Sequence, residues 1–291
     1  MEEGILNISI DYDLCTGCNR CVQVCGINFF EVPGKAPRTA DPVTCCIRCG
    51  HCAAICPQDA VSHTGLQDIE LAPLAQRPSF EQLMTLLQSR RSRREFTERE
   101  VSRQDIEALL KAAGQAANGL NRRNVHYTVI TDPDVLKDLS RRIGRQTAWL
   151  SRRLENPLWR VFFRLVWGGQ YRELEPLVAL LKPMAEAARQ GRDMVLYNAP
   201  CAILIHTRRD DACGNEDAVY CGADILLAAE ALGLGACVIG FLTEPINRDN
   251  DLARLVGIPR GHKVHTSMVV GHPRFPYSRG ISRPAPEARF L

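Results

Sequence analysis

Two cysteine-rich stretches near the start of the chain, CTGCNRCVQVC (Cys15–Cys25) and CIRCGHCAAIC (Cys46–Cys56), share one spacing. In each stretch four cysteines follow the pattern C-x2-C-x2-C-x3-C, and nine of the 13 cysteines lie between positions 15 and 56. Disulfide scaffolds are typical of short secreted chains, and zinc sites favour two separated cysteine pairs over four cysteines in one run. The repeated spacing therefore predicts metal clusters held by thiolates.

This spacing is that of bacterial ferredoxins with two [4Fe–4S] clusters, and residues 5–65 resemble such a domain. Three closely spaced thiolates wrap a tight loop around three corners of one iron–sulfur cube, and the fourth cysteine of the run points to the other cube. The predicted ligands of one cluster are Cys15, Cys18, Cys21 and Cys56. Those of the other cluster are Cys46, Cys49, Cys52 and Cys25.

The residues that follow each cysteine run show one departure from the ferredoxin pattern. Pro57 follows Cys56 as in the family, whereas Gly26 follows Cys25 where the family has proline. Since that proline is not a ligand, we expect the site to tolerate the glycine. Cys45 falls outside the spacing and is predicted to be a bystander packed near a cluster.

The bulk composition excludes several classes of protein. Hydrophobic residues make up 45% and charged residues 24% of the chain, and a net charge of +3 is too small to argue for nucleic-acid binding. The apolar stretch Leu158–Trp167 carries two arginines and is about ten residues long, whereas a membrane span needs roughly 20 apolar residues. The acidic start, MEEGILNISIDYD, has no secretory signal pattern. We expect a cytoplasmic protein with no nucleic-acid or membrane partner.

A change in composition divides the chain. We predict a ferredoxin-type domain over residues 1–68, a proline-containing linker over 69–79 and a larger domain over 80–291. In the larger domain, apolar β-rich runs beginning at Val125, Cys201, Ala236 and Val264 alternate with helical stretches. This alternation indicates an α/β or α+β sandwich, and the fold class that we expect is α+β, a sheet with flanking helices. Residues 140–197 are predicted to be rich in helix.

Three helices of the larger domain have local sequence signals. Ser79 to Gln82 form a capping box, and a second helix is predicted from Ser102 to about Gly114. A third helix is predicted over residues 216–233. The apolar face predicted for this helix consists of Val219, Ala223, Leu226 and Leu227.

The stretch SRRSRREF (Ser89–Phe96) places several guanidinium groups and a hydroxyl on one turn, an arrangement suited to a phosphate. A solvated basic face is the alternative, and a nucleic-acid patch lacks the expected aromatic residues. Three later stretches follow in order, AANGLNRRNVHYTVI (Ala116–Ile130), ALGLGACVIGF (Ala231–Phe241) and MVVGHPRF from Met268. Together the four stretches resemble the FMN-dependent nitroreductase family, and the resemblance covers residues 80–291.

The resemblance implies an FMN site and assigns residues to it. The turn that contacts the flavin phosphate, ribityl chain and pyrimidine edge corresponds to Arg90, Arg91, Ser92 and Arg94. The loop that reaches the flavin from the neighbouring subunit of a homodimer corresponds to Ala117, Asn118, Gly119 and Asn121. The strand end that faces the isoalloxazine ring corresponds to Ile239 and Gly240, and the C-terminal phosphate-binding arginines correspond to Arg283 and Arg279.

The family loop often reads Asn-x-Gln-Pro-Trp, whereas this chain has Asn-Arg-Arg-Asn-Val, with Arg123 in the place of glutamine. This departure concerns the substrate side more than flavin binding. In such enzymes the flavin carries out the reaction, so no catalytic acid or base is predicted, and the dispersed histidines are interpreted as structural or surface residues.

The two cofactor sites together predict a function. Clusters pass single electrons and FMN exchanges one or two, so we expect an internal route from a donor, reduced ferredoxin or NAD(P)H, through two [4Fe–4S] clusters to FMN. The expected acceptor is a small electrophile such as a nitroaromatic, a quinone or an activated alkene. The alternative is an electron-transfer or redox-sensing protein whose acceptor is another protein.

Overall fold

The computed structural model describes residues 6–71 and 76–291, apart from the side chains at positions 160, 162, 163, 167 and 169–178. The chain divides into two compact units. The first unit comprises Met1–Pro78 with Gly119–Arg122, and the second comprises Ser79–Asn118 with Arg123–Leu291. Part of the predicted linker, residues 72–75, and the start of the predicted first domain, residues 1–5, lie outside the described residues.

The first unit consists of short elements. Its strands are β1 (Ile8–Ile10), β2 (Phe29–Phe30), β3 (Arg38–Thr39) and β4 (Val61–His63), and its helices are α1 (Arg20–Val24) and α2 (His51–Ala54). Strand β1 pairs antiparallel with β4, and β2 pairs antiparallel with β3. A single turn of 3₁₀ helix, Thr64–Leu66, follows β4. Of the nine cysteines of this unit, seven lie in the loops that connect these elements.

The core of the first unit is built around its cysteines. Ile8, Phe29 and Leu66 are buried, and the buried Cys21 and Cys52 belong to the same apolar cluster. Strand β1 alternates buried and exposed residues, as expected for a strand with one covered face. Cys21 and Cys52 therefore lie in the apolar interior of the unit, whereas Cys18 and Cys49 are exposed.

The first two helices of the second unit, α3 (Phe80–Ser89) and α4 (Arg103–Ala113), begin at the predicted caps. Ser79 Oγ accepts from the Gln82 backbone N–H at 3.2 Å, and Gln82 Oε1 accepts from the Ser79 backbone N–H at 2.8 Å. Ser102 Oγ caps α4 through the backbone N–H of Asp105 at 3.0 Å. These caps satisfy backbone donors that the first turn of a helix leaves free.

The second unit contains one four-stranded sheet. Its strands are β5 (His126–Ile130), β6 (Cys201–Arg208), β7 (Gly235–Val238) and β8 (His262–Gly271). The order is β5-β6-β8-β7, and every neighbouring pair is antiparallel. Strand β6 is buried along seven of its eight residues because it lies between two strands and is covered on both faces. Each strand overlaps one of the four predicted β-rich runs, although β5 begins one residue after Val125.

The remaining helices complete the second unit. They are α5 (Pro133–Glu155), α6 (Pro157–Trp167), α7 (Gly169–Arg189), α8 (Gly214–Ala231), α9 (Gly240–Arg248) and α10 (Asn250–Leu255). Helices α5, α6 and α7 account for most of the predicted helix-rich region, residues 140–197. No helix in the described part of the chain is both long and apolar enough to cross a membrane.

Helices cover both faces of the sheet. One cluster packs Leu204 of β6 and Val269 of β8 with residues of α5, α9 and α10. The other packs Ile203 of β6 and Met268 of β8 with residues of α4 and α8. Because neighbouring residues of a strand point to opposite faces, β6 supplies both layers, and the result is the predicted α+β sandwich.

Helix α8 forms as predicted but is rotated about its axis relative to the prediction. Val219, in the predicted apolar face, is 52% exposed, and Ala223 is also exposed. The buried face consists of Gly214, Asp217, Ala218, Cys221, Gly222, Ile225 and Ala229. Most of these are small residues, and a Cβ at Gly222 would lie 3.3 Å from the Thr266 Cγ2 atom of β8. Close approach to the sheet therefore decides the orientation of α8, and Val219 and Tyr220 point outward while Ile225 is buried.

Candidate functional site

The first cysteine set predicted from the spacing lines one cavity. Cys15, Cys18, Cys21 and Cys56 surround it, together with apolar residues such as Ile10. Helix α1 carries Cys21, and burial, followed by the nearby thiolates of Cys15 and Cys18, raises the pKa of the Cys21 thiol. One wall of the cavity therefore comes from the second cysteine run, as the crossed ligand pattern requires.

The second cysteine set also lies together. Burial raises the pKa of the Cys52 thiol to about 11, and the neighbouring thiolates of Cys25, Cys49 and Cys46 contribute to the increase. A thiol with a raised pKa is protonated at neutral pH, so a bound metal must displace the proton. Four mutually repelling thiolates are stable at such a site when a cation compensates their charge.

The arrangement fits a cluster better than a single ion. In the described part of the chain, no three or more histidine, cysteine, aspartate or glutamate side chains converge as one metal ion would require. In a [4Fe–4S] cube each thiolate binds a different iron, so four sulfur atoms surround a cube and do not meet at a point. Two sets of four cysteines therefore suit two cubes better than a zinc ion.

Hydrogen bonds reach two of the sulfurs in the predicted cluster sites. The Ala60 backbone N–H donates to Cys56 Sγ at 3.3 Å, and the Arg48 backbone N–H donates to Cys46 Sγ at 3.4 Å. The Nε2 atom of His63 lies 3.3 Å from the same Cys46 Sγ. Donors of this kind stabilise negative charge on a ligating sulfur. Cys45, outside both sets, is exposed.

The basic turn that follows α3 runs beside strand β7. Ser92 forms a parallel bridge with Ala236, and the Arg93 backbone N–H donates to the Ala236 carbonyl at 3.1 Å. Arg90 is the C-cap of α3. Arg90 and Arg91 are half-buried, whereas Ser92 and Arg94 are exposed. The turn therefore presents four polar side chains next to the strand whose end was predicted to face the flavin.

Arg93 was not among the predicted site residues. It anchors the C-terminal segment, by which we mean residues 275–283. Its side chain is buried, its Nη1 atom donates to the Phe275 carbonyl at 3.0 Å, and its guanidinium carbon lies 3.6 Å from the centre of the Tyr277 ring. A Cβ at Gly235 would lie 2.8 Å from the Arg93 side chain, so the glycine makes room for it. The whole run of arginines was interpreted as phosphate-binding, and its third member, Arg93, was not recognised as a buried side chain.

Arg91 holds the next part of the C-terminal segment. Its Nη2 atom donates to the Ile281 carbonyl at 2.8 Å, and the Ile281 backbone N–H donates to the Gln88 carbonyl at 3.1 Å. Arg279 and Arg283 are exposed and lie two residues before and after Ile281 in the chain. The structure thus brings the C-terminal segment that carries these arginines to the end of α3.

Hydrogen bonds to Ser267 of β8 and Thr243 of α9 fix the backbone at the end of strand β7. The Ile239 backbone N–H donates to the Ser267 carbonyl at 2.8 Å, and the Ile239 carbonyl accepts from Ser267 Oγ at 3.3 Å and from Thr243 Oγ1 at 3.4 Å. Gly240 begins α9, which has no side-chain cap on the N–H groups of its first turn in the described structure. The Leu242 backbone N–H donates to the Ile239 carbonyl at 3.1 Å, which leaves the N–H groups of Gly240 and Phe241 to face a ligand.

Cys237, one residue before the exposed Val238, contacts the basic turn. Burial raises the pKa of the Cys237 thiol, while Arg94 and a hydrogen bond from Ser92 act in the opposite direction. The guanidinium carbon of Arg94 also lies 5.8 Å from the centre of the Tyr197 ring. Cys201, Cys221 and Cys237 are all buried, as predicted for thiols in apolar runs.

The loop that contains the other predicted flavin contacts is tightly turned. Asn118 Oδ1 accepts from the Arg123 backbone N–H at 3.1 Å, and Leu120, Asn121 and Arg123 all have positive φ angles. Ala117 is exposed, and Gly119 begins a 3₁₀ turn that ends at Asn121. Within the first unit, the Asn121 side-chain amide donates to the Arg48 carbonyl at 2.8 Å. The side-chain amide of Asn121, a predicted flavin contact, therefore already donates to a carbonyl of its own chain.

Three histidines that sequence reasoning treated as isolated come together on the sheet. His126 of β5 lies opposite His206 of β6, and the His206 and His262 Nδ1 atoms are 2.9 Å apart. His206 Nε2 also lies 3.1 Å from Thr128 Oγ1. Burial, together with the neighbouring imidazoles, lowers the pKa of His206 to about 4, so this ring is neutral at physiological pH. The cluster is a hydrogen-bonded structural feature, and only the strand register reveals it.

Comparison with known families agrees with both parts of the chain. The model of the Nitroreductase family matches residues 87–272, more than half of the chain. A model described as a 4Fe-4S binding domain matches residues 8–31.

Individual relatives follow the same division. The chain is 24% identical over 194 residues to a "Putative NADH dehydrogenase/NAD(P)H nitroreductase" of Archaeoglobus fulgidus, covering 67% of this chain and 87% of the relative. It is 33% identical over 78 residues to Ferredoxin-3 of Nostoc sp., covering 21% of this chain and 79% of the relative.

A solved structure shows the same fold. An FMN-dependent nitroreductase of Clostridium difficile R20291 superimposes with a TM-score of 0.54 at 21% identity, covering 73% of this chain and all of that one. The predicted fold class and family resemblance are confirmed. The chain therefore belongs to the Nitroreductase family and is an oxidoreductase with an N-terminal ferredoxin-type 4Fe-4S domain.

Proposed function

We propose that this protein is an iron–sulfur flavoprotein that passes electrons from two [4Fe–4S] clusters to FMN and on to a small electrophilic acceptor. The observation that carries the proposal is the crossed grouping of the cysteines, in which Cys56 shares a cavity with Cys15, Cys18 and Cys21. A structural zinc site would need one set of four, whereas this chain has two sets. Two neighbouring clusters favour conduction of electrons over a purely structural role.

The donors around the basic turn suit the phosphate of FMN. Planar guanidinium groups bind phosphate in a bidentate manner, and Arg90 and Arg91 lie where the segment carrying Arg279 and Arg283 meets α3. Ser92 and Arg94 would contact the ribityl chain and the pyrimidine edge. The backbone N–H of Gly240, which has no side-chain cap, would face the ring system. When bound, FMN exchanges one or two electrons, so it can couple single-electron clusters to a two-electron acceptor.

We further propose a homodimer in which Ala117, Asn118, Gly119 and Asn121 would approach the flavin of the partner. Large apolar residues are exposed on two helices that pack together, Phe80, Leu83 and Leu87 on α3, and Val219 and Tyr220 on α8. An exposed apolar surface of this kind is typical of an interface. The Phe80→Asp variant should be monomeric in sedimentation and should lose FMN. An unaltered dimer in that variant would place the interface elsewhere.

The donor and the acceptor are proposed by class. Reduced ferredoxin is a one-electron donor that suits the cluster domain, and NAD(P)H is supported by the printed name of the Archaeoglobus fulgidus relative. Nitroaromatics, quinones and activated alkenes are the acceptors that a reduced flavin can serve. We place the protein in the cytoplasm, where low-potential clusters and reduced thiols are stable.

The proposal is tested by the cofactor content and turnover of protein purified without oxygen. We expect about eight irons and about one FMN per chain. Reduction of menadione or 4-nitrobenzoate by reduced ferredoxin should be lost in the Cys21→Ser variant, and any NAD(P)H-driven turnover should remain. Iron without FMN would contradict the flavoprotein. Flavin that discharges only to another protein would favour the alternative, an electron carrier or redox sensor.

A further inference from the structure

The sulfur of Cys46 receives two hydrogen-bond donors. One is the backbone N–H of Arg48, at 3.4 Å, and the other is the imidazole of His63, whose Nε2 atom lies 3.3 Å away. The bond to Cys56 Sγ, in the first cysteine set, comes from the backbone N–H of Ala60. His63 thus adds a side-chain donor to the second set beyond the backbone donors.

The tautomer of His63 follows from its other nitrogen. The Gly65 backbone N–H donates to His63 Nδ1 at 2.9 Å. An atom that accepts this bond carries no proton, so the ring proton of the neutral imidazole lies on Nε2. The Nε2–H group therefore faces Cys46 Sγ and donates to it.

The ring is held in this orientation by its surroundings. His63 is the last residue of β4, pairs with Ile8 of β1, and caps the 3₁₀ turn Thr64–Leu66 through Nδ1. A Cβ at Gly65 would lie 2.9 Å from His63 Cε1 and 2.7 Å from Leu6 Cδ1. Glycine at position 65 therefore permits the close packing that aims the imidazole at the sulfur.

We propose that His63 is a positioning residue that raises the reduction potential of the cluster held by Cys25, Cys46, Cys49 and Cys52. The inference rests on the proposed second cluster. One-electron reduction adds negative charge to the cube and its thiolates, and no atom is transferred. A donor on Cys46 Sγ stabilises the reduced state more than the oxidised state, because hydrogen bonds to charged acceptors are stronger. The second cluster should therefore take up an electron at a higher potential than it would without His63.

The test is an anaerobic redox titration of the full-length protein with dithionite, followed by electron paramagnetic resonance. In the His63→Phe variant we expect the equilibrium constant for reduction of one cluster to fall about 3- to 10-fold. This corresponds to a decrease of about 30–60 mV in its one-electron reduction potential. The other cluster should keep its wild-type potential. In the His63→Gln variant, whose amide retains an N–H donor, the decrease should be smaller. The matched control is Ser62→Ala, an exposed neighbour on the same strand, which should leave both potentials unchanged.

Two results would overturn the inference. One is a His63→Phe variant with full iron content and two wild-type potentials. The other comes from wild-type and His63→Gln proteins labelled with ¹⁵N-histidine. If the reduced clusters of the wild type show no histidine coupling that is missing in His63→Gln, the proposed hydrogen bond is absent. This result applies even where His63→Phe loses a cluster. Wild-type protein with about four irons would instead contradict the two-cluster proposal, so the two failures are distinguishable.

Discussion

The guanidinium carbon of Arg93 lies 3.6 Å from the centre of the Tyr277 ring, although the two residues are 184 positions apart in the chain. Its Nη1 atom also donates to the Phe275 carbonyl at 3.0 Å. Through these two contacts a buried arginine holds the C-terminal segment against the basic turn. The segment that carries Arg279 and Arg283 therefore depends on a residue outside the predicted flavin contacts.

The Arg93→Lys variant should release this segment. Lysine retains the charge but lacks the planar group that stacks on Tyr277 while donating to a carbonyl, so we expect a loss of about 1–3 kcal/mol in the free energy of unfolding. Trypsin should cleave after Arg279 faster than in the wild type, and FMN should bind more weakly. The exposed Arg99→Lys variant is the matched control and should behave as the wild type. Equal trypsin sensitivity in both variants would show that Arg93 does not anchor the segment.

The crossed cysteine grouping predicts which cluster each cysteine variant loses. If each run of four cysteines held its own cluster, the opposite result would be expected. Cys56 belongs to the second run but lines the first cavity, so Cys56→Ser should remove the cluster of Cys15, Cys18 and Cys21. Cys25→Ser should instead remove the cluster of the second run, because Cys25 lies beside Cys52. Each variant should lose about half of its iron, and the spectrum of the remaining cluster should differ between the two.

The control for both cysteine variants is Cys45→Ser, which removes an exposed thiol outside the two sets and should keep all of the iron. Loss of iron in this control would mean that Cys45 is a ligand. Identical residual spectra in Cys25→Ser and Cys56→Ser would contradict the crossed arrangement.

Features with local causes could be predicted from the sequence. Ser79 and Ser102 cap α3 and α4 as expected because a capping bond joins residues three positions apart. The β-rich runs became strands, and the cysteine spacing predicted the two sets that the structure brings together. In each case the deciding interaction lies within a few residues or within a repeated pattern.

Features that depend on distant packing could not be predicted. Helix α8 has apolar residues on most of its surface, so its periodicity did not show that small residues such as Gly222 would face the sheet. The histidine cluster requires the register of three strands, which His126 and His206 acquire only on pairing. The anchoring role of Arg93 requires a contact with Tyr277, which lies 184 positions later in the chain.

Arg91 should affect cofactor binding in a salt-dependent way. Its Nη2 atom donates to the Ile281 carbonyl, and the same guanidinium lies where phosphate is expected. Arg91→Gln should weaken FMN binding by about tenfold at low ionic strength and by less at high salt, because salt screens half-exposed charges. Fluorescence quenching of free FMN measures this. Arg103→Gln, a change at an exposed arginine of α4, is the control, and a loss of equal size there would argue against a specific phosphate contact.

The stability of the second unit should decrease with falling pH because of His206. Burial lowers the pKa of this histidine to about 4, whereas an unfolded histidine titrates near 6.5. Between these values the unfolded chain binds a proton that the folded chain does not, so the contribution of His206 to stability is present above about pH 6.5 and is lost as the pH falls toward 4. The loss should be on the order of 1–3 kcal/mol.

The thermal midpoints of wild type and His206→Gln, compared between pH 7.5 and 5, test this dependence. The variant has no titrating group at this position, so the advantage of the wild type should be largest at pH 7.5 and should shrink on acidification. Acid loss of iron affects both proteins alike, which is why the difference between the two curves is the measured quantity. His51→Gln, a change at an exposed histidine, should leave the wild-type curve unaltered. A pH-independent difference between wild type and His206→Gln would show that His206 stabilises the sheet by packing and hydrogen bonding alone.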